Sequence, residues 1–324
     1  MDFGVHLPLA DLGQGHLGGR DLRVYTATAA ELGFDMVCAN DHLVWRRPWL
    51  DGLTCLASVL GSARDMKLAT SVALPAVRHP VVLAKAIASL GVLAEGPVIA
   101  GLGPGSSAAD HEAVGLPFTE RWARFDECLR LVRALVRGEA PDDGQYYRVG
   151  ELRLDPLPST PPQVWFGSWG SDLRLRRMAG AADGWLASAY NTTPEHFADA
   201  RSRLDEQLLA EGRDPSTYPD AIATAWMYVT HEHAQAVRLV SETLAPLLGR
   251  DPGELLAQLP IGTPEHCVEL LDAYAEAGAT RILLWPIQDP IHQLEVFSEE
   301  VRPHLRQTSS ASVRPRLVRT EGAP

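Results

Sequence analysis

The chain has 324 residues, 46% hydrophobic and 22% charged, an ordinary globular make-up with enough apolar material for a sizeable core. A net charge of −12 argues against nucleic acid and anionic membrane as partners. Any anionic ligand must be met locally, by arginine, backbone N–H groups or a helix N-terminus. The four cysteines, Cys38, Cys55, Cys128 and Cys267, are far apart and show neither C-x-x-C nor metal-ligand spacing. They read as small buried hydrophobes in a reducing compartment. The first residues lack a basic n-region, and no apolar run reaches membrane-spanning length, so a cytoplasmic protein is expected.

In chain order, eight short apolar runs predict buried parallel strands at 3–7, 35–39, 67–74, 97–103, 163–167, 183–188, 221–229 and 281–286. Amphipathic segments lie between them. Asp21 is expected to cap a helix over 22–32 that stops at Gly33. Pro80 opens a second, Glu120 to Arg137 forms a third ended by Gly138, and Thr263 starts another. Eight alternations suit a closed (β/α)8 TIM barrel, an α/β fold, better than an open doubly wound sheet, which the pattern alone leaves open. Two connections are unusually long: 138–162, with a hairpin expected around 144–156, and 231–262, helical in character. Such insertions are expected over the catalytic mouth. Residues 1–307 read as the barrel domain and 308–324, polar and aperiodic, as a disordered tail.

Barrel chemistry sits where strands end, so those positions come next. After the second strand stand Asn40, Asp41, His42, Leu43, Val44 and Trp45. Asp, His and Trp together can orient, protonate and stack on a planar ligand; the plainer reading is a loop with a solvated histidine. After the third come Thr70, Ser71 and Val72, small enough for close backbone approach, or merely structural. His79 before Pro80 reads as a helix-start residue. The fourth strand ends in Gly103, Pro104, Gly105 and Ser106, and Ser106 stands where G-x-G-x-x-G requires its last glycine. The fifth ends in Gly167, Ser168, Trp169, Gly170 and Ser171 directly before a helix carrying Arg174, Arg176 and Arg177. Free N–H groups and the positive end of the helix dipole make that loop a natural phosphate site. His231 and His233 have no third ligand spaced to join them and read as surface residues. No metal site is expected.

Five stretches in this order resemble the luciferase-like monooxygenase family: GFDMVCANDHL, KLATSVALPAVRHPVVLAKAIASL, GLGPG, ERWARFDE, and QVWFGSWGS followed by AADGW. Together they reach from residue 3 to about 305. The resemblance implies a (β/α)8 barrel, and the Asp-His-Leu and Thr-Ser-Val strand ends resemble its F420-dependent branch. It implies that His42 lies at the reactive edge of the deazaflavin, that Trp45 borders the substrate pocket, and that the Ser71–Val72 bond is a non-prolyl cis peptide under the ring. Asp41 and Thr70 would join the cofactor site, with Gly103 to Ser106 and Gly167 to Ser171 on the ribityl chain and phosphate. Two departures stand out. Where the family's sugar-phosphate dehydrogenases carry a catalytic carboxylate, this chain has Ser106, with Asp110 and Glu112 as the nearest substitutes. The His–Trp interval is also one residue shorter, so sugar-phosphate dehydrogenation is not expected.

Three functions follow. The first is F420-dependent hydride transfer to or from a small organic substrate, with His42 handling the coupled proton. The second keeps the barrel but uses FMN, as FMNH2 from a separate reductase, and inserts oxygen. The third is a flavin-binding relative without turnover. A homodimer is expected from the resemblance.

Overall fold

Why these runs become strands is visible in their burial: each is apolar on both faces, as a sheet covered by helices on one side and by itself on the other requires. The computed structural model describes residues 1–13, 15 and 18–306. The strands are β1 (Asp2–His6), β2 (Met36–Ala39), β3 (Lys67–Thr70), β4 (Val98–Leu102), β5 (Gln163–Gly167), β6 (Gly184–Ser188), β7 (Asp220–Val229), β8 (Ile261–Gly262) and β9 (Arg281–Pro286). All pairings are parallel. They run β1 to β6 in order, then β7 and β9, and β9 returns to β1 through Gly4↔Leu283. Eight strands therefore close a barrel, and β8 is a two-residue addition beside Tyr228 and Val229 at the end of β7.

Side chains fill the barrel interior. Met36, Cys38, Ala69, Ile99, Trp165 and Leu283 belong to one buried cluster, each contributing about 1.5–3 kcal/mol by burial when of Leu or Phe size. Gly4 belongs to the same layer: a Cβ there would stand 2.7 Å from Leu283 and 2.9 Å from Met36. The N-terminal end is closed by an ion cluster, with Arg281 on Asp35 at 2.6 Å and on Asp2 at 2.8 Å, and Lys67 on Asp35 at 2.7 Å. Opposing charges held at that end serve stability, since the chemistry of such barrels belongs to the other end.

Helix ends follow the expected chemistry, with one shift. Gly33 and Gly138 terminate their helices at φ +75°. Thr263 accepts from the His266 N–H. The first helix, however, is Gly19–Glu31, and Asp21 lies inside its first turn, accepting from the Gly18 N–H. The long connections also differ from expectation. Residues 138–162 contain no strand, so the hairpin expected at 144–156 does not form. The segment instead lies on the barrel flank. Glu127 of helix Arg121–Val136 accepts from the N–H groups of Tyr146 and Tyr147, and Pro158 packs where Gly91 of helix Pro80–Leu93 leaves room. Residues 231–262 are helical as expected and do span the mouth: Pro246 O accepts from Arg46 beyond β2, while Arg250 donates to Asn191 beyond β6. The proposed tail, 308–324, lies outside the described residues. Among the described residues, the four cysteines form no disulfide and are buried, and no helix is long and apolar enough to cross a membrane.

Candidate active site

At the C-terminal end of β2 the chain turns outward, and the turn is held by one buried carboxylate. Asp110, fully buried in the segment after β4, accepts from His42 Nδ1 at 2.7 Å through one oxygen. Its other oxygen accepts the N–H groups of Leu43 at 2.8 Å and Val44 at 2.9 Å. Burial works to raise the Asp110 pKa, but the His42 bond and the two N–H bonds together outweigh it, and the carboxyl is held below its ordinary value. An ionised carboxylate only accepts, so Nδ1 of His42 carries the proton. In the neutral ring Nε2 is then bare, which is the arrangement a proton acceptor needs.

Aromatic rings surround this histidine. Trp45 stacks on His42 at 4.0 Å between centroids, and Trp49 meets the same ring edge-on at 4.9 Å. Trp49 in turn touches Trp285 at the end of β9, which is stacked between Trp226 of β7 at 4.1 Å and His6 of β1 at 4.4 Å. Burial pushes His6 down to about 3, so its ring is neutral. Its Nε2 accepts from the Thr224 N–H at 3.1 Å, where an irregularity in β7 puts Thr224 at φ +55°. The other ring nitrogen of His6 and the indole N–H groups of Trp45, Trp49 and Trp226 are buried without a hydrogen-bond partner.

The ends of β3, β4 and β5 are built the opposite way, from small residues. The Ser71–Val72 peptide is cis, as the resemblance implied. Val72 is wedged between two glycines: a Cβ on Gly103 would come within 2.5 Å of it, and one on Gly167 within 2.7 Å. Both positions therefore need glycine for close approach. Thr70 Oγ1 donates to Gly101 O across the strands. Next along the rim, Gly170 sits at φ +85° with its N–H on the buried Ser168 Oγ, and Ser171 precedes helix Asp172–Ala181 without a side-chain cap. The first N–H groups of that helix are thus left for an anion.

The predicted residues divide. His42, Trp45, Ser71 and Val72 lie together on adjacent strand ends, with Gly103 and Gly167 behind Val72. Pro104 and Gly105 continue the β4 turn, and Ser106 is exposed. Trp169 stands 61% exposed on the outer side of its loop. Asp41 is occupied: Arg78 grips both its oxygens at 2.6 Å, Leu74 N–H adds a third bond, and the same guanidinium reaches Asp51, the cap of helix Gly52–Ser58. Arg78 thereby ties the β3 loop to the β2 loop. His231 pairs with Glu300 on the surface, His233 begins a helix, and no metal-ligand cluster exists among the described residues. Sequence reasoning missed His6, Trp49, Trp226 and Trp285. His6 and Trp285 are at strand ends, so the rule that selected His42 would have found them. In the sequence, Asp110 stands out only as a substitute for the carboxylate missing at Ser106.

Residues 1–252 match the luciferase-like monooxygenase family. An F420-dependent glucose-6-phosphate dehydrogenase of Beutenbergia cavernae is 32% identical, the match covering 89% of this chain and 94% of that protein. An F420-dependent hydroxymycolic acid dehydrogenase of Mycobacterium tuberculosis is 31% identical over 88% of this chain and 84% of the relative. The fold superposes on an F420-dependent secondary alcohol dehydrogenase bound to an F420–acetone adduct with a TM-score of 0.80, at 18% identity, covering 94% of this chain and 99% of that one. With its closed barrel and a family match over residues 1–252, this chain belongs to the luciferase-like monooxygenase family.

Proposed function

We propose that this protein is an F420-dependent oxidoreductase that transfers hydride to or from a small organic substrate. The observation carrying the reading is the His42–Asp110 pair, beside a wall of residues too small to fill the mouth themselves. Gly103 and Gly167 let Val72 seat closely on the strand ends, where added side chains would collide with it. Val72 would support the deazaflavin ring, and the loop from Gly167 to Ser171 would receive the phosphate. Bound there, F420 supplies the hydride carrier that no side chain of this chain provides.

The protein's part is placement and proton handling. Asp110 fixes the His42 tautomer so that Nε2 takes the proton released on oxidation of a substrate, or returns it on reduction. Trp45 and Trp49 hold the imidazole plane. Arg78, through Asp41, keeps this loop in register with the cis peptide. Both oxygens of Asp110 are occupied, so it is not free to act as the second acid missing at Ser106. That supports substrates other than sugar phosphates, such as alcohols, enones and imines.

The test is an anaerobic fluorescence titration of the apo-protein with F420, FMN and reduced FMN in turn. Micromolar or tighter F420 binding with weak binding of both flavins is the expected result. Preference for reduced FMN would replace this reading with a two-component oxygenase that needs a reductase partner.

A further inference from the structure

On the outer side of the proposed phosphate loop lies a second feature that the reaction does not use. A cavity of about 380 Å³ opens between the first turns of helices Arg121–Val136 and Asp172–Ala181, lined among others by Trp122, Asp126, Arg130, Tyr146, Arg174 and Arg177. It begins one turn beyond the loop, since the Arg174 N–H bonds to Ser171 O at 2.8 Å. Arg174 is laid flat on Trp122, its guanidinium carbon 3.5 Å from the ring centroid. Arg121 stands close enough to repel it: burial first, and then the Arg121 charge, lower the Arg174 pKa from its ordinary value. Arg121 lies over the Phe118 ring, and no carboxylate among the described residues is within 4 Å of it. Asp126 faces both Arg174 and Arg177, and the other acid at the cavity, Glu127, is turned into the Tyr146 and Tyr147 N–H groups. Three guanidinium groups thus line the cavity with two carboxylates, and Arg121 stands beside them, on a chain whose net charge is −12. Like charges held together on aromatic supports, short of acid, form a site for anions.

We propose that this notch is a second anion subsite, which takes the γ-glutamyl carboxylates at the far end of a deazaflavin cofactor whose phosphate occupies the neighbouring loop. The proposal rests on the F420 reading and extends it. FMN ends at its phosphate and would leave the notch empty, whereas the F420 tail continues past it with one carboxylate per added residue. The aromatic faces pre-set the guanidinium planes for a carboxylate's two oxygens.

The experiment is a fluorescence titration at low and high salt. It compares the bare deazaflavin with its ribityl chain, the phosphorylated form without glutamate, and F420 carrying one, two and more glutamates. Wild type is compared with the surface double variant Arg130→Gln/Arg177→Gln, whose fold is checked by near-ultraviolet circular dichroism. Each of the first two glutamates is expected to tighten Kd about three- to fivefold in wild type, a gain that high salt removes. The variant should lose this increment and keep its affinity for the form without glutamate. Equal Kd at every tail length, or an increment unchanged in the variant, would overturn the notch while leaving the cofactor reading intact. Failure of every deazaflavin to bind, the bare one included, would overturn the cofactor reading and the notch with it.

Discussion

The two halves of the barrel mouth are built on opposite principles. From β3 to β5, the open half, the strands end in small residues, threonine, serine and glycine, with Val72 seated on Gly103 and Gly167. From β7 through β9 and β1 to β2 they end in tryptophan and histidine, stacked ring on ring. On the proposed reading the first half receives the flat cofactor and offers N–H groups to its anionic end. The second fills space, excludes water and fixes a single basic nitrogen. A site divided in this way separates binding from proton transfer, so changes in one half should leave the other's measurable largely intact.

The largest effect belongs to the filled half. His42→Ala should lower turnover by roughly 10²–10⁴ while cofactor affinity stays within about tenfold. Asp110→Asn keeps the shape but loses the charge that holds the proton on Nδ1, and should cost about 10–100-fold with an altered pH–rate profile. Unchanged turnover in either variant would break the division. In the open half, a negative charge beside the phosphate should weaken cofactor binding about tenfold and spare turnover of the bound enzyme. Ser171→Asp is the clean version, because the backbone at Ser171 is extended, at φ −70°, and takes aspartate without strain. Gly170→Asp confounds charge with strain, its Cβ meeting Ala200 at 2.9 Å from a left-handed backbone. The smallest effect near neutrality comes from His6. Burial places its pKa near 3 against 6.5 in the unfolded chain, so the folded state binds fewer protons across that window. The stabilisation is complete above about pH 6.5 and is lost as pH falls towards 3. From pH 7 to 6 the loss is only about 0.7 kcal/mol. His6→Gln should flatten that part of a urea-midpoint curve; an unaltered slope would mean that the ring is not held neutral by the stack.

The open half was legible and the filled half largely was not. Glycines and serines at the ends of apolar runs announce themselves locally, as Thr70–Ser71 and Gly167–Ser171 do, while the Ser71–Val72 bond is what the family resemblance implies. The barrel was equally legible, because each strand's burial is written in its own four to ten residues. The His42–Asp110 bond joins positions 68 apart and the His6–Thr224 bond positions 218 apart, distances that only closure of the barrel removes. The failed hairpin has the reverse cause. Tyr146, Tyr147, Val149, Leu152 and Leu154 look strand-like, but the Asp143 carboxylate binds the N–H groups of Val149 and Gly150, and Glu127 those of the tyrosines. Side-chain acceptors took the donors that a ladder would have used.

That capture by Glu127 bears on how the protein can diverge. A carboxylate that grips main-chain N–H groups is indifferent to which side chains follow them. Gly144 is held to its identity, because a Cβ there would stand 2.0 Å from Glu127, and Tyr147 is held by its burial beside Cys128 and Leu131. The exposed positions of the flank segment can therefore accumulate substitutions over generations without the segment losing its attachment, while the barrel behind it stays the same.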